Sequence, residues 1–130
     1  MAEMSNFLEN ALLNATLNAT TYTAPAPVYV SLWTSDPTDA GSGTEVSGGS
    51  YARTAVSFAT ASGTSGNVLN DADVTFPTAT ASWGTVGWIG INDAVTAGNL
   101  LYHTALDTSK TIDTGDIFKI STGNLSVTLA

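Results

Sequence analysis

The chain has no cysteine, one histidine (His103) and three basic residues, Arg53, Lys110 and Lys119, among 130 positions. Without cysteine it builds neither disulfides nor thiolate metal centres. Eleven acidic residues against three basic ones give a formal charge of -8. Such a surface repels phosphate, which argues against nucleic acid and anionic membranes as partners. No apolar run approaches the roughly 20 residues that span a bilayer. The N-terminal Met1-Ala2-Glu3-Met4 lacks the basic, then apolar, pattern of an export signal. Synthesis in a cytoplasm is therefore expected, and the sequons at Asn14, Asn18 and Asn124 are read as unmodified.

Charged residues make up only 11% of the chain, against about 25% in ordinary soluble domains. Thr, Ser, Ala, Gly and Asn fill the difference, a mixture suited to strands and turns. The length fits one domain that folds around its own core.

Asn6 and Glu9 have the spacing of a capping box, and Phe7, Leu8, Ala11, Leu12 and Ala15 follow at helical period. The spacing predicts a helix over about 6–18. One so short is marginal alone in water and must dock, on its own β core or on a neighbouring subunit. Past Pro25 and Pro27, Val28, Val30 and Leu32 alternate with Tyr29, Ser31 and Trp33 as a strand. Residues 35–50 hold Asp, Pro, Thr and glycines without apolar period and read as a long surface loop. Loops longer than about 12–15 residues are often functional or ordered by a partner.

A second strand is expected over 51–58, then a Gly/Ser turn at 62–67 and a short apolar piece at Val68-Leu69. The centre of the chain is DVTFPTATASWGTVGWIGINDA, residues 73–94. Val74 and Phe76 alternate until Pro77, which cannot donate to a ladder. A second run from Val86 to Ile91 has apolar residues on both parities and is expected to be covered on both sides. Shorter strands follow at 100–102, 117–120 and 125–129, with turns expected at 107–110 and at Gly123-Asn124. Seven or eight short strands after one helix predict a mainly β, single-domain antiparallel sandwich, jelly-roll or immunoglobulin-like.

No catalytic constellation is visible. His103 stands alone without a nucleophile or orienting group nearby in sequence. Asp71/Asp73 and Asp113/Asp116 could lend oxygens to calcium, yet acidic turn residues commonly bond their own backbone. The glycines at 41–49 lack phosphate-loop spacing. The reading is no enzyme, no cofactor, no metal and no small-molecule substrate. Arg53 either anchors a partner or pairs with a carboxylate such as Glu45 or Asp73. Of the three tryptophans, Trp83 is the one expected at a contact surface. Two lysines are few for guarding sheet edges, so helix 7–18 and the prolines would cover some and a neighbouring copy the rest. That predicts a homo-oligomer or a subunit of a larger assembly.

The order SNFLENALL, YTAPAPVYVSLWTSDPTDAG, GTEVSGGSYARTAVSF, DVTFPTATASWGTVGWIGINDA, GNLLYHTALDTSKTIDTGDIFKI, LSVTLA resembles a family of small tailed-bacteriophage virion proteins. Members often carry a tail-fibre label, and some resemble capsid decoration (cement) proteins. The resemblance brings no site residues with it. It implies a virion structural role, with a trimer favoured, the major capsid protein as partner and the capsid exterior as location. The absence of heptads or long β-repeats and the acidic surface favour decoration of the shell over a fibre, the alternative being a tail, collar or baseplate component. The interface is expected at Phe7, Leu8, Leu12, Arg53 and Trp83.

Overall fold

The computed structural model describes residues 2–129. Strand β1 (Glu3–Met4) leads into helix α1 (Asn6–Leu17). Strands β2 (Val28–Trp33), β3 (Thr54–Val56), β4 (Asn67–Leu69), β5 (Val74–Thr75), β6 (Gly84–Asn92), β7 (Leu100–Ile112), β8 (Lys119–Ile120) and β9 (Ser126–Thr128) follow. One five-stranded sheet runs β1-β7-β6-β2-β3, and two-stranded ribbons β4-β9 and β5-β8 stand apart from it. Every pairing is antiparallel. The result is an all-β sandwich with one N-terminal helix, in which a broad sheet faces two narrow ribbons.

The core lies between these layers. The sheet contributes Val30, Leu32, Val56, Val86, Ile89 and Ile91, and the ribbons and their flanks contribute Val74, Phe76, Phe118, Leu125 and Val127. Phe76 meets Phe118 edge-on at 5.6 Å and Tyr51 in a stack at 6.2 Å. Strict alternation would put Val86 opposite Ile89 and Ile91. The β6–β7 register slips between Val86 and Trp88, and the faces exchange across Gly87. All three aliphatics therefore reach one core. The other face of β6 is covered as well, since Gly90 and Asn92 are buried.

The helix begins one residue before the position that the capping-box pattern marks. Ser5 is the N-cap, its Oγ accepting from the Leu8 N–H at 3.2 Å. Tertiary bonds select it: Ser5 Oγ donates to the Leu100 carbonyl and Ser5 N–H donates to that of Leu101. Asn18 closes the helix as expected, its N–H returning to the Asn14 carbonyl.

Edge protection differs from the sequence expectation. The residues before the helix, not the helix, lie along β7, and β1 reaches only Tyr102 and His103. Among the described strands, none pairs on that side of β7 from Ala105 onward. No described helix is long and apolar enough to cross a membrane.

Candidate functional site

A row of side chains crosses the outer face of the sheet. Register places Ser31, Gly90, His103 and Glu3 side by side on β2, β6, β7 and β1. Ser31 Oγ donates to Asn92 Oδ1 at 2.6 Å and accepts from the Trp33 indole N–H at 2.8 Å. Gly90 makes room for this. A Cβ there would lie 2.7 Å from Leu100 Cδ1, 2.8 Å from Ser31 Oγ and 3.0 Å from Trp33 Nε1.

The 35–50 loop folds over this face. Thr34 N–H donates to the Thr44 carbonyl, Ser42 N–H to that of Pro37, and Asn6 N–H to that of Asp39. Pro37 is buried. The loop is thus part of the fold, ordered by its own bonds and by the start of α1. It brings Asp39 Oδ1 to 2.8 Å from His103 Nε2. Glu3 Oε2 lies 3.8 Å from the same nitrogen, and Asp36 Oδ1 lies 4.0 Å from Nδ1. Three carboxylates from two segments converge on one imidazole that is 5% exposed.

A second cluster ties the other end of the loop to the sheet. The Glu45 carboxylate accepts from Arg53 Nε and Nη2, each at 2.8 Å, and from the Tyr51 hydroxyl at 2.6 Å. Tyr51 Oη in turn accepts the Leu32 N–H at 3.0 Å. Arg53 Nη1 donates to the carbonyls of Ala94 and Ala97. The hydrogen bond to Glu45, opposed by burial, raises the Arg53 pKa. Burial first, then the Glu45 hydrogen bond, holds the Tyr51 phenol protonated far above its usual range. This is a structural lock joining loop, sheet and the 93–99 hairpin.

The five residues expected at an interface are dispersed. Trp83 is corrected to a core residue, 4% exposed. Its ring meets Tyr51 edge-on at 5.4 Å, and its indole N–H donates to the Gly49 carbonyl at 2.9 Å. Arg53 faces inward in its pair with Glu45, and Leu8 is buried under the first turn of α1. Leu12 is half-buried, and Phe7 is exposed. Ala11, Leu12 and Ala15 are half-buried along one side of the helix, while its other side leaves Leu13 and Leu17 at 54% and 74% exposure. These two widen the apolar stripe in the sequence, but spacing alone does not show that they stay uncovered.

The acidic turns close on themselves. Asp73 Oδ1 accepts the Thr122 N–H and hydroxyl, and Oδ2 faces Lys119 at 3.2 Å. Those bonds, the backbone one foremost, hold its carboxyl below the usual range. Asp71 accepts from the Ser57 hydroxyl, and Asp116 from the Asp113 N–H.

A comparison with curated protein sequences finds no match. A family model described as podophage GP4 fiber I protein gp80 matches residues 3–128. An all-β domain whose polar clusters mostly brace its own loops, matched over nearly its full length, belongs to this phage fibre family of virion structural proteins.

Proposed function

We propose that the protein is a building block of the podophage fibre, held in the virion by its outer surfaces and catalysing no reaction. The family description supports a fibre position. The observation that carries the assembly reading is the outer side of α1, where Phe7, Leu13 and Leu17 stand uncovered while Leu8, Ala11, Leu12 and Ala15 are buried or half-buried. Exposed aliphatics this large on a surface helix mark a contact face. The occupant is a second copy of the chain. Glu9 is the sole charge of α1, so copies approach through this helix without much mutual repulsion despite the net -8. A homotrimer packed through the three helices is the expected assembly.

Light scattering at micromolar concentration should give a trimer, and Leu13→Glu with Leu17→Glu should give a monomer of unchanged secondary structure. A wild-type monomer refutes the assembly reading. Decoration of the capsid exterior, with the major capsid protein as partner, is the second reading, favoured by the compact acidic surface without elongated repeats. Quantified gels and antibody-gold labelling of virions separate the two. A few to tens of copies at the tail support the fibre, whereas hundreds over the shell support decoration.

A further inference from the structure

We propose that Glu3, Asp39 and His103 form a binding site for a divalent transition-metal ion, best suited to zinc, with Asp36 orienting the imidazole. One ligand atom from each of the three residues lies within 4.8 Å of the others. The donors differ in kind. An imidazole nitrogen with two carboxylates selects the zinc class over calcium or magnesium, which take oxygen ligands and more of them.

The distances suit the ion. Zinc–nitrogen and zinc–oxygen bonds of about 2.0–2.2 Å at tetrahedral angles place ligand atoms about 3.4 Å apart. Asp39 Oδ1 sits nearer to Nε2 than that, at 2.8 Å, and Glu3 Oε2 slightly farther, at 3.8 Å. Shifts of about half an ångström, Asp39 outward and Glu3 inward, complete the geometry. Both carboxylates are on side chains open to solvent and can make them, while the ring is held by burial. Glu3 and His103 also line an open cleft of about 240 Å³, and water would complete the shell.

A histidine that binds metal through one nitrogen commonly donates from the other to a carboxylate, which fixes the tautomer. Asp36 is the carboxylate on that side of the ring: its Oδ1 accepts the Thr38 N–H at 2.9 Å and lies 4.0 Å from Nδ1, outside hydrogen-bond distance in the metal-free chain. Occupied, the site would tie together β1, the 35–50 loop and β7, adding to the β1–β7 ladder and the Asn6–Asp39 bond that already join them.

The test uses the whole protein, stripped with chelator and titrated with zinc chloride while heat release and thermal unfolding are followed. One zinc per chain is expected, with an unfolding temperature raised by about 8 °C at a hundredfold excess over Kd. Calcium and magnesium at the same concentrations should leave it in place. Cobalt should give the visible absorption of a four-coordinate nitrogen/oxygen site. Glu3→Gln and Asp39→Asn change exposed side chains, so the metal-free proteins should fold as wild type while losing at least tenfold in affinity. Asp36→Asn should weaken binding by about tenfold without altering stoichiometry. Absence of saturable zinc binding up to millimolar concentration, or undiminished binding in both Glu3→Gln and Asp39→Asn, overturns the proposal.

Discussion

Replacing Glu45 by Gln tests how far one carboxylate holds the loop to the sheet. Glu45 receives two Arg53 donors and the Tyr51 hydroxyl, and the two charged side chains are 10% (Arg53) and 21% (Glu45) exposed. Exposed ion pairs contribute about 0–1 kcal/mol, whereas removing one partner of a buried pair costs about 3–5 kcal/mol. This pair lies between those limits and nearer the second. Gln offers one neutral acceptor where two charged oxygens were used, so Arg53 keeps its charge with neutral oxygens alone as partners, that amide oxygen and the Ala94 and Ala97 carbonyls. We expect a loss of about 2–3 kcal/mol for Glu45→Gln. Arg53→Met should lose a similar amount, because it strips charge balance from Glu45. The double variant should be more stable than the sum of the two losses implies, by a coupling of about 1.5–2 kcal/mol. Urea unfolding at neutral pH measures this as shifts of midpoint at constant slope. Additive losses, agreeing within about 0.5 kcal/mol, would refute the reasoning, as the pair would then contribute no more than a solvated one.

Other consequences are quicker to check. Gly90→Ala should cost about 1–3 kcal/mol by urea unfolding and move the Trp33 indole N–H resonance, since its Cβ meets the Ser31–Trp33 hydrogen bond. Trp83→Ala should cost about 3–5 kcal/mol, as expected of a core aromatic and far above the effect of truncating a surface anchor. Leu17→Ser should leave the unfolding midpoint of the isolated chain within about 0.5 kcal/mol while weakening self-association measured by sedimentation. The Asp73 pKa is lowered in the folded state, so its contribution is present above the ordinary carboxylate range and is lost as pH falls below about 4. Asp73→Asn should flatten that part of the stability profile, and an unchanged profile would exclude Asp73 as a source.

Local pattern carried β2, β6 and α1 but not the longest strand: β7 runs unbroken from Leu100 to Ile112 through polar and charged residues, where the sequence reading marks a strand at 100–102 and a turn at 107–110. Alternation from Val28 to Trp33 and the run through Ile91 mark the two central strands, and Leu8, Leu12 and Ala15 mark the helix. What spacing misses comes from contacts between distant segments. Asn6 carries the capping-box spacing, and only the Leu100 and Leu101 carbonyls draw Ser5 into the cap instead. Trp83 looks available beside Gly84, but the Gly49 carbonyl and the Tyr51 ring lie more than thirty residues upstream. Glu45 is one of the two partners that the sequence suggests for Arg53, and proximity in the loop makes it the one. The convergence on His103 is illegible, because Glu3, Asp36 and Asp39 reach it across a strand pairing and a loop closure that no local pattern encodes.

The long strand β7 extends well past the two residues of β1 that flank it. Its outer margin from Ala105 onward is a hydrogen-bonding template with a free side, and such templates recruit extended chain. Asp107 and Lys110 sit along that margin, and the register slip opposite Gly87 bends it. Together they discourage indiscriminate stacking along it. Exchanging both charges for threonine should turn a well-behaved solute into one that binds thioflavin and sediments.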